Sequence, residues 1–283
     1  MKSLVGAVAL VSQVALAGGP VAGGGIGYAQ ASNYFKKDSR PTQYQPLNLL
    51  DGRDVTSFCT QSADPLNDHL TFGFKGPVRI DEVRITTGNN FDEHTFKEFS
   101  RAKKLELKGG SGGHTFSVAD QRGPQTVTFN PPIEGARFTL DILDQYPSDD
   151  PEASVCLTDV VFVSDGKVLN GNWLTTKLKY DKLQAPLMGT WFAGFPGTPD
   201  KFLSFYFDGT YQYRFEPYDA LNAKPKTIEG SWEASSSKLT LEVPGKGKVA
   251  AKYFRDPDKE GGFTLKLDGD VGEELKQAFR STP

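Results

Sequence analysis

Asp51, Asp54 and Thr56 follow one another at spacings of three and two in a turn-rich stretch, and Asp159 lies far along the same half of the chain. Calcium takes six to eight hard oxygen ligands at about 2.3–2.6 Å, which a turn rich in Asp can supply. The same residues also read as a plain Asp51-Gly52 turn capped by Asp54. A second set, Asn89, Asn90, Phe91, His94 and Phe96, occupies a long segment between strand-like runs. Long segments of that kind are often functional. Arg101, Tyr146 and Asp149-Asp150 are candidates to join it; the alternative is a solvated loop pinned to the core by its Phe residues. Asp149, Asp150 and Glu152 offer the carboxylates that glycoside hydrolysis uses in pairs, although acids crowded on one Pro-flanked loop are commonly just solvated. The 3 His residues, His69, His94 and His114, are dispersed without metal-ligand spacing, which speaks against zinc. No nucleophile elbow, P-loop or dinucleotide fingerprint occurs, and Gly109–Gly113 reads as a hairpin loop. Trp173, Trp191 and Trp232 can line an apolar pocket, but a buried Trp is more often core.

These residues must be positioned by strands. From Tyr28 to Asp165, runs of four to nine residues rich in Val, Ile, Phe and Thr alternate with Gly, Pro, Asp and Asn. They are Leu70–Phe74, Val78–Thr86, Lys103–Leu107, Thr115–Val118, Gln125–Phe129, Ala136–Leu143 and Leu157–Val163. Strands without helical periods between them predict a sandwich or jelly roll. Asn90–Phe99 is the one helix candidate there. After a polar connector, 166–186, a second run of strands fills 187–283. Phe202–Phe207, Asp208-Gly209 and Thr210–Phe215 carry the strongest short-range hairpin signal. Two further hairpins span Ile228–Val243 and Lys248–Leu267. This predicts about seven strands, fewer than a full eight-stranded barrel. Val271, Leu275 and Phe279 at spacing four predict a short amphipathic helix at the end.

Met1–Ala17 has a Lys, an apolar run and Ala15-Leu16-Ala17, the pattern of a secretory signal peptide. Residues 18–27 form a Gly-rich leader. The expected location is therefore secreted or periplasmic, with no transmembrane segment in the mature chain. In an oxidising compartment Cys59 and Cys156, the only 2 Cys, can pair; two separately buried thiols are the alternative. With 32 Lys+Arg against 35 Asp+Glu the net charge is −3, which gives no basic face for nucleic acid.

Leu47-Asn48-Leu49-Leu50-Asp51-Gly52, followed by Asp54, Thr56 and Phe58-Cys59, resembles the opening of discoidin-like (F5/8 type C-like) galactose-binding-fold domains. Val83–Gly88, Arg101–Leu105, Gly123–Thr126, Leu140–Asp144, Tyr146-Pro147 and Val155–Val160 continue the match in order. Together they are similar to the bacterial branch named for the translocation, glycan-binding domain of the streptococcal NAD glycohydrolase toxin. Phe58 stands where that family usually has Trp, and Thr158-Asp159 where Ser-Glu is common. The resemblance implies an all-β jelly roll over 28–165 and a non-catalytic role in binding a glycan or cell-surface polymer. Aromatic rings would stack on sugar faces while Asn, Asp or Arg read hydroxyls: Asn89, Asn90, Phe91, His94, Arg101 and Tyr146. It also implies that Asp51, Asp54, Thr56 and Asp159 can hold a structural calcium ion. Met188-Gly-Thr-Trp191, Asp208–Tyr211 and Gly230-Ser-Trp232 resemble small lipocalin-like barrels, which suggests a rival role as carrier or sensor of a small apolar ligand. A hydrolase using the Asp149–Glu152 loop is the second rival.

Overall fold

The computed structural model describes residues 25–40, 42–64, 68–170, 184, 186–196, 198–218, 224–235, 238–257 and 263–281. Met1–Ala17 and Trp173 lie outside them. The first unit contains β1 (Ile26–Ala31), a 3-10 turn (Pro46–Leu50), β2 (Phe58–Cys59), β3 (Leu70–Thr87), α1 (Glu93–Glu98), β4 (Ser100–Gly109), β5 (Gly112–Ser117), β6 (Gln125–Tyr146), β7 (Val155–Ser164) and β8 (Lys167–Val168). The strand order β1-β3-β6-β4-β7-β2, with β3 also paired to β7, wraps one sheet around a core as a jelly roll. β3 and β6 each merge two expected strands. Register shifts between Gly73 and Val78, and between Ile80 and Glu82, let β3 bend through Lys75-Gly76-Pro77 without leaving its ladder. Phe74 meets Phe138 and Phe162 edge-on at 5.5 and 5.6 Å, and Phe72 meets Phe162 at 4.9 Å. This is the tilted geometry that ring quadrupoles prefer.

Cys59 and Cys156 stand opposite each other on β2 and β7 and form a disulfide across 97 residues of chain. Phe99, Phe35 and Tyr44 pack around it. The helix candidate Asn90–Phe99 contracts to α1, because Asp92 caps it through a reciprocal bond with Thr95.

The second unit is a closed barrel of β9 (Gly189–Ala193), β10 (Asp200–Phe205), β11 (Thr210–Glu216), β12 (Lys226–Ala234), β13 (Lys238–Val243), β14 (Gly247–Pro257), β15 (Phe263–Asp268) and β16 (Phe279–Ser281). Each strand pairs with the next and β16 returns to β9, so the barrel has eight strands and not about seven. The expected terminal helix is absent. Val271, Leu275 and Phe279 are buried as their spacing demands, but Gly272 takes a left-handed φ of +90° and the last residues form β16. A strand there satisfies the facing edges of β15 and β9, which a helix would leave unpaired. Trp191, Phe205, Tyr211, Tyr213, Trp232, Leu241, Leu265 and Phe279 are all buried in this unit's core. The Trp191 and Trp232 indole N–H groups donate to Leu187 and Tyr206 carbonyls at 2.8 and 2.9 Å.

The units share a continuous core. Ile26 and Gly27, expected in the flexible leader, begin β1, and the Gly27 carbonyl accepts from Phe207 N at 2.7 Å. Tyr28 stacks on Tyr206 at 6.4 Å and shares a hydrogen bond with Thr190 Oγ1 at 3.0 Å. Gln30 donates to the Met188 carbonyl, and Lys75 pairs with Asp208. Among the described residues no helix is long and apolar enough to cross a membrane.

Candidate functional site

The polar residues at one end of the jelly roll are knitted together by side-chain hydrogen bonds. Gly88 ends β3 with φ +78°, where a Cβ would overlap Phe96 and Arg101, and this turn directs the following amides inward. Asn90 Nδ2 donates to the Thr87 carbonyl at 2.6 Å, and Asn90 N donates to Thr158 Oγ1 at 3.0 Å. The Asn90 Oδ1 accepts from Gly123 N at 3.2 Å. Asn89 Oδ1 accepts from Ser57 Oγ and Phe91 N, both at 3.3 Å. Thr158 Oγ1 donates to the Gly88 carbonyl at 2.8 Å. Both Asn residues are buried; Asn90 spends its amide nitrogen and oxygen on protein groups, and Asn89 its oxygen.

What remains outside is Phe91, 58% exposed at the tip of this network. His94 is also exposed, on α1, with Nδ1 3.8 Å from Glu98. Arg122 was missed by sequence reasoning. Its Nη2 donates to the Asn90 carbonyl at 2.8 Å, its Nη1 lies 3.9 Å from Glu93, and its side chain is 43% exposed. The signal that could have found it is its place directly before the family-like Gly123-Pro124 turn.

Arg101 lies beside this network, against Gly88 and Phe96, and pairs with Tyr146 across β4 and β6. Arg101 is buried and makes a two-pronged bond to Asp120 at 2.9 and 2.7 Å, with a further bond to the Pro147 carbonyl at 2.6 Å. Tyr146 donates to the Val118 carbonyl at 3.1 Å. These two residues brace loops and present little to a ligand.

The acidic set divides. Thr56 Oγ1 lies 2.9 and 2.8 Å from the two carboxylate oxygens of the buried Asp51, and Arg53 N donates to Asp51 at 3.0 Å. Burial raises Asp51 above the ordinary carboxylate range despite those bonds. Asp159 is pushed up to about 7, first by burial and then by the charge of Asp51, with Asp54 adding to it. Its Oδ1 is buried without a hydrogen-bond partner. An orphaned oxygen facing a second carboxylate's field fits a cation. Asp54 is exposed, and among the described residues no trio of His, Cys, Asp or Glu is assembled to hold a metal. Asp149, Asp150 and Glu152 lie exposed on a turn, where Asp150 accepts from Glu152 N at 2.9 Å.

No curated protein matches the chain. Among solved structures, a family 32 carbohydrate-binding module of C. perfringens NanJ, in complex with galactose, is 18% identical. The match covers 48% of this chain and 91% of that one, with TM-score 0.34. The F5/8 type C domain of a Bacteroides fragilis protein is 16% identical, with 50% and 97% covered and TM-score 0.38. Residues 21–163, half of the chain, match the model of the NAD glycohydrolase translocation F5/8 type C domain, and the protein belongs to that family.

Proposed function

We propose that this is an exported, non-catalytic protein that binds a glycan or cell-surface polymer at the loop end of its jelly roll. The observation that carries the reading is Phe91: a large apolar ring left in water directly after two residues, Asn89 and Asn90, that are buried and hydrogen-bonded. A held ring loses little freedom on binding, so the apolar face of a sugar gains most of the energy of leaving water. Arg122 and Glu93 flank it with a donor and an acceptor for hydroxyl groups. A disulfide closing 97 residues supports an oxidising compartment, in keeping with Met1–Ala17 as an export leader. Calcium is part of the same reading. Asp51 and Asp159 would hold it, and its charge would stabilise the loop end without chemistry of its own.

The test is a glycan array with purified protein, read for wild type, Phe91→Ala and Arg122→Ala. Phe91→Ala is expected to lower the signal tenfold or more with the melting temperature unchanged, and Arg122→Ala to lower it less. An array signal indifferent to Phe91 would remove the loop end as the site.

A further inference from the structure

A groove opens on the outer wall of the barrel where two strands part. β12 and β13 pair only over Trp232–Ala234 and Leu239–Leu241. Beyond that, Tyr211 reaches across from β11 and its hydroxyl donates to the Glu242 carbonyl at 3.0 Å. A Cβ at Gly230 would overlap that carbonyl, so the arrangement depends on glycine. The cavity formed here holds about 570 Å³, within the range of small-molecule sites.

Register places a polar row along its floor. Gln212 lies opposite Glu229, and Thr210 opposite Ser231. Gln212 Nε2 donates to Glu229 Oε1 at 2.8 Å, and Ser231 Oγ donates to Glu242 Oε2 at 2.8 Å. Each carboxylate is thereby oriented by one neutral donor, and a carboxylate has about four acceptor positions in all. The jelly roll contributes the opposite wall through Lys75. That cation is already paired with Asp208 and lies 5.6 Å over the Tyr206 ring, so it does not balance Glu229 and Glu242.

We propose that this groove is a second binding site, for a hydroxyl-rich ligand carrying a positive charge, of the class of amino sugars with a free amine. Glu229 and Glu242 supply charge-assisted acceptors for the ammonium. Gln212 and Ser231 complement hydroxyl groups, and Tyr206 with Pro244 gives the groove an apolar border. Because Lys75 comes from the other unit, the site is complete only while barrel and jelly roll stay docked. It stands apart from the Phe91 loop and does not depend on that reading.

Titration calorimetry of the whole protein with a fully deacetylated glucosamine tetramer tests it. Binding is expected to weaken tenfold or more in the Glu229→Gln, Glu242→Gln double variant and to be unchanged in Glu134→Gln, an exposed carboxylate on β6 outside both sites. The tetramer of N-acetylglucosamine should bind at least tenfold more weakly than its deacetylated form. Both glutamates are exposed, and tryptophan emission checks the barrel in each variant. Each single change is expected to weaken binding about threefold, which decides the matter if the double variant unfolds. No binding to wild type, equal binding to the variants, or equal binding of the acetylated tetramer would overturn the proposal. So would tetralysine binding as tightly and with the same sensitivity, since the groove would then read charge alone.

Discussion

The two halves of this chain solve the same problem, an all-β core with edges to protect, by different means. The barrel joins β16 to β9, so its backbone ladder has no free edge. The jelly roll ends in a two-residue β2, and its closure relies on side chains: a disulfide from β2 to β7 and the amide and hydroxyl network around Asn89, Asn90 and Thr158. A region closed by side chains keeps loops that can vary, and such loops are where binding residues concentrate. A region closed by its own backbone offers its wall instead, and there the groove beside Glu229 lies.

The strongest way to break this comparison is to remove the sulfur bridge. Cys59→Ala with Cys156→Ala should destabilise the jelly roll by ~2–5 kcal/mol, the usual cost of losing such a link. Trp191 and Trp232 both lie in the barrel and none of the 3 Trp falls within 28–165, so in a Trp173→Phe background tryptophan emission reports the barrel. Far-ultraviolet circular dichroism should then melt in an early phase that tryptophan emission does not follow. Coincident transitions that both move down together would mean that the halves unfold as one body and that the bridge guards both.

A smaller effect tests the seam. Gly73 lies in β3 where a Cβ would overlap the ring of Tyr28, the fully buried residue that stacks on Tyr206 of the barrel. Gly73→Ala must displace that ring, and overpacking of this kind costs ~1–3 kcal/mol. Calorimetry should show two separated transitions where wild type shows closer ones. A single unchanged transition would show that the seam tolerates the added methyl without losing the Tyr28 contact.

Much of this was legible beforehand, for physical reasons that differ by element. Alternation marked the strands, and Asp208-Gly209 marked its hairpin, because a turn and two pleats are local. The merging of Leu70–Phe74 with Val78–Thr86 was not legible. Gly76-Pro77 reads as a break, whereas a register shift opposite β6 absorbs it. Val271, Leu275 and Phe279 announced burial but not conformation, since the need for a strand at 279–281 arises from edges distant in sequence. Asn89, Asn90, Arg101 and Tyr146 show the limit most clearly. Their types suit a sugar, but an amide or guanidinium that suits a sugar equally suits a neighbouring carbonyl or carboxylate; the path after Gly88 decides for the two Asn, and the pairing of β4 with β6 for Arg101 and Tyr146.

The smallest predicted change sharpens the contrast from the jelly roll's side alone. Asp159 is raised to about 7 in the folded protein, against about 3.9 in an unfolded chain. Between those values the folded state holds a proton that the unfolded state has released. The resulting stability is therefore complete below about pH 4 and is lost as pH rises through 7. In chelator, Asp159→Asn should remove that slope and stabilise the jelly roll at pH 8 by about 1–2 kcal/mol, discounted because the group is partly exposed. Calcium would reverse the ranking, since a bound cation favours the charged form that Asn cannot supply. Chemical denaturation at pH 5 and pH 8, with and without calcium, reads both effects. A wild type whose stability is flat with pH and indifferent to calcium would mean that water reaches the Asp159 carboxylate, and the loop end would then be held by its neutral hydrogen bonds alone.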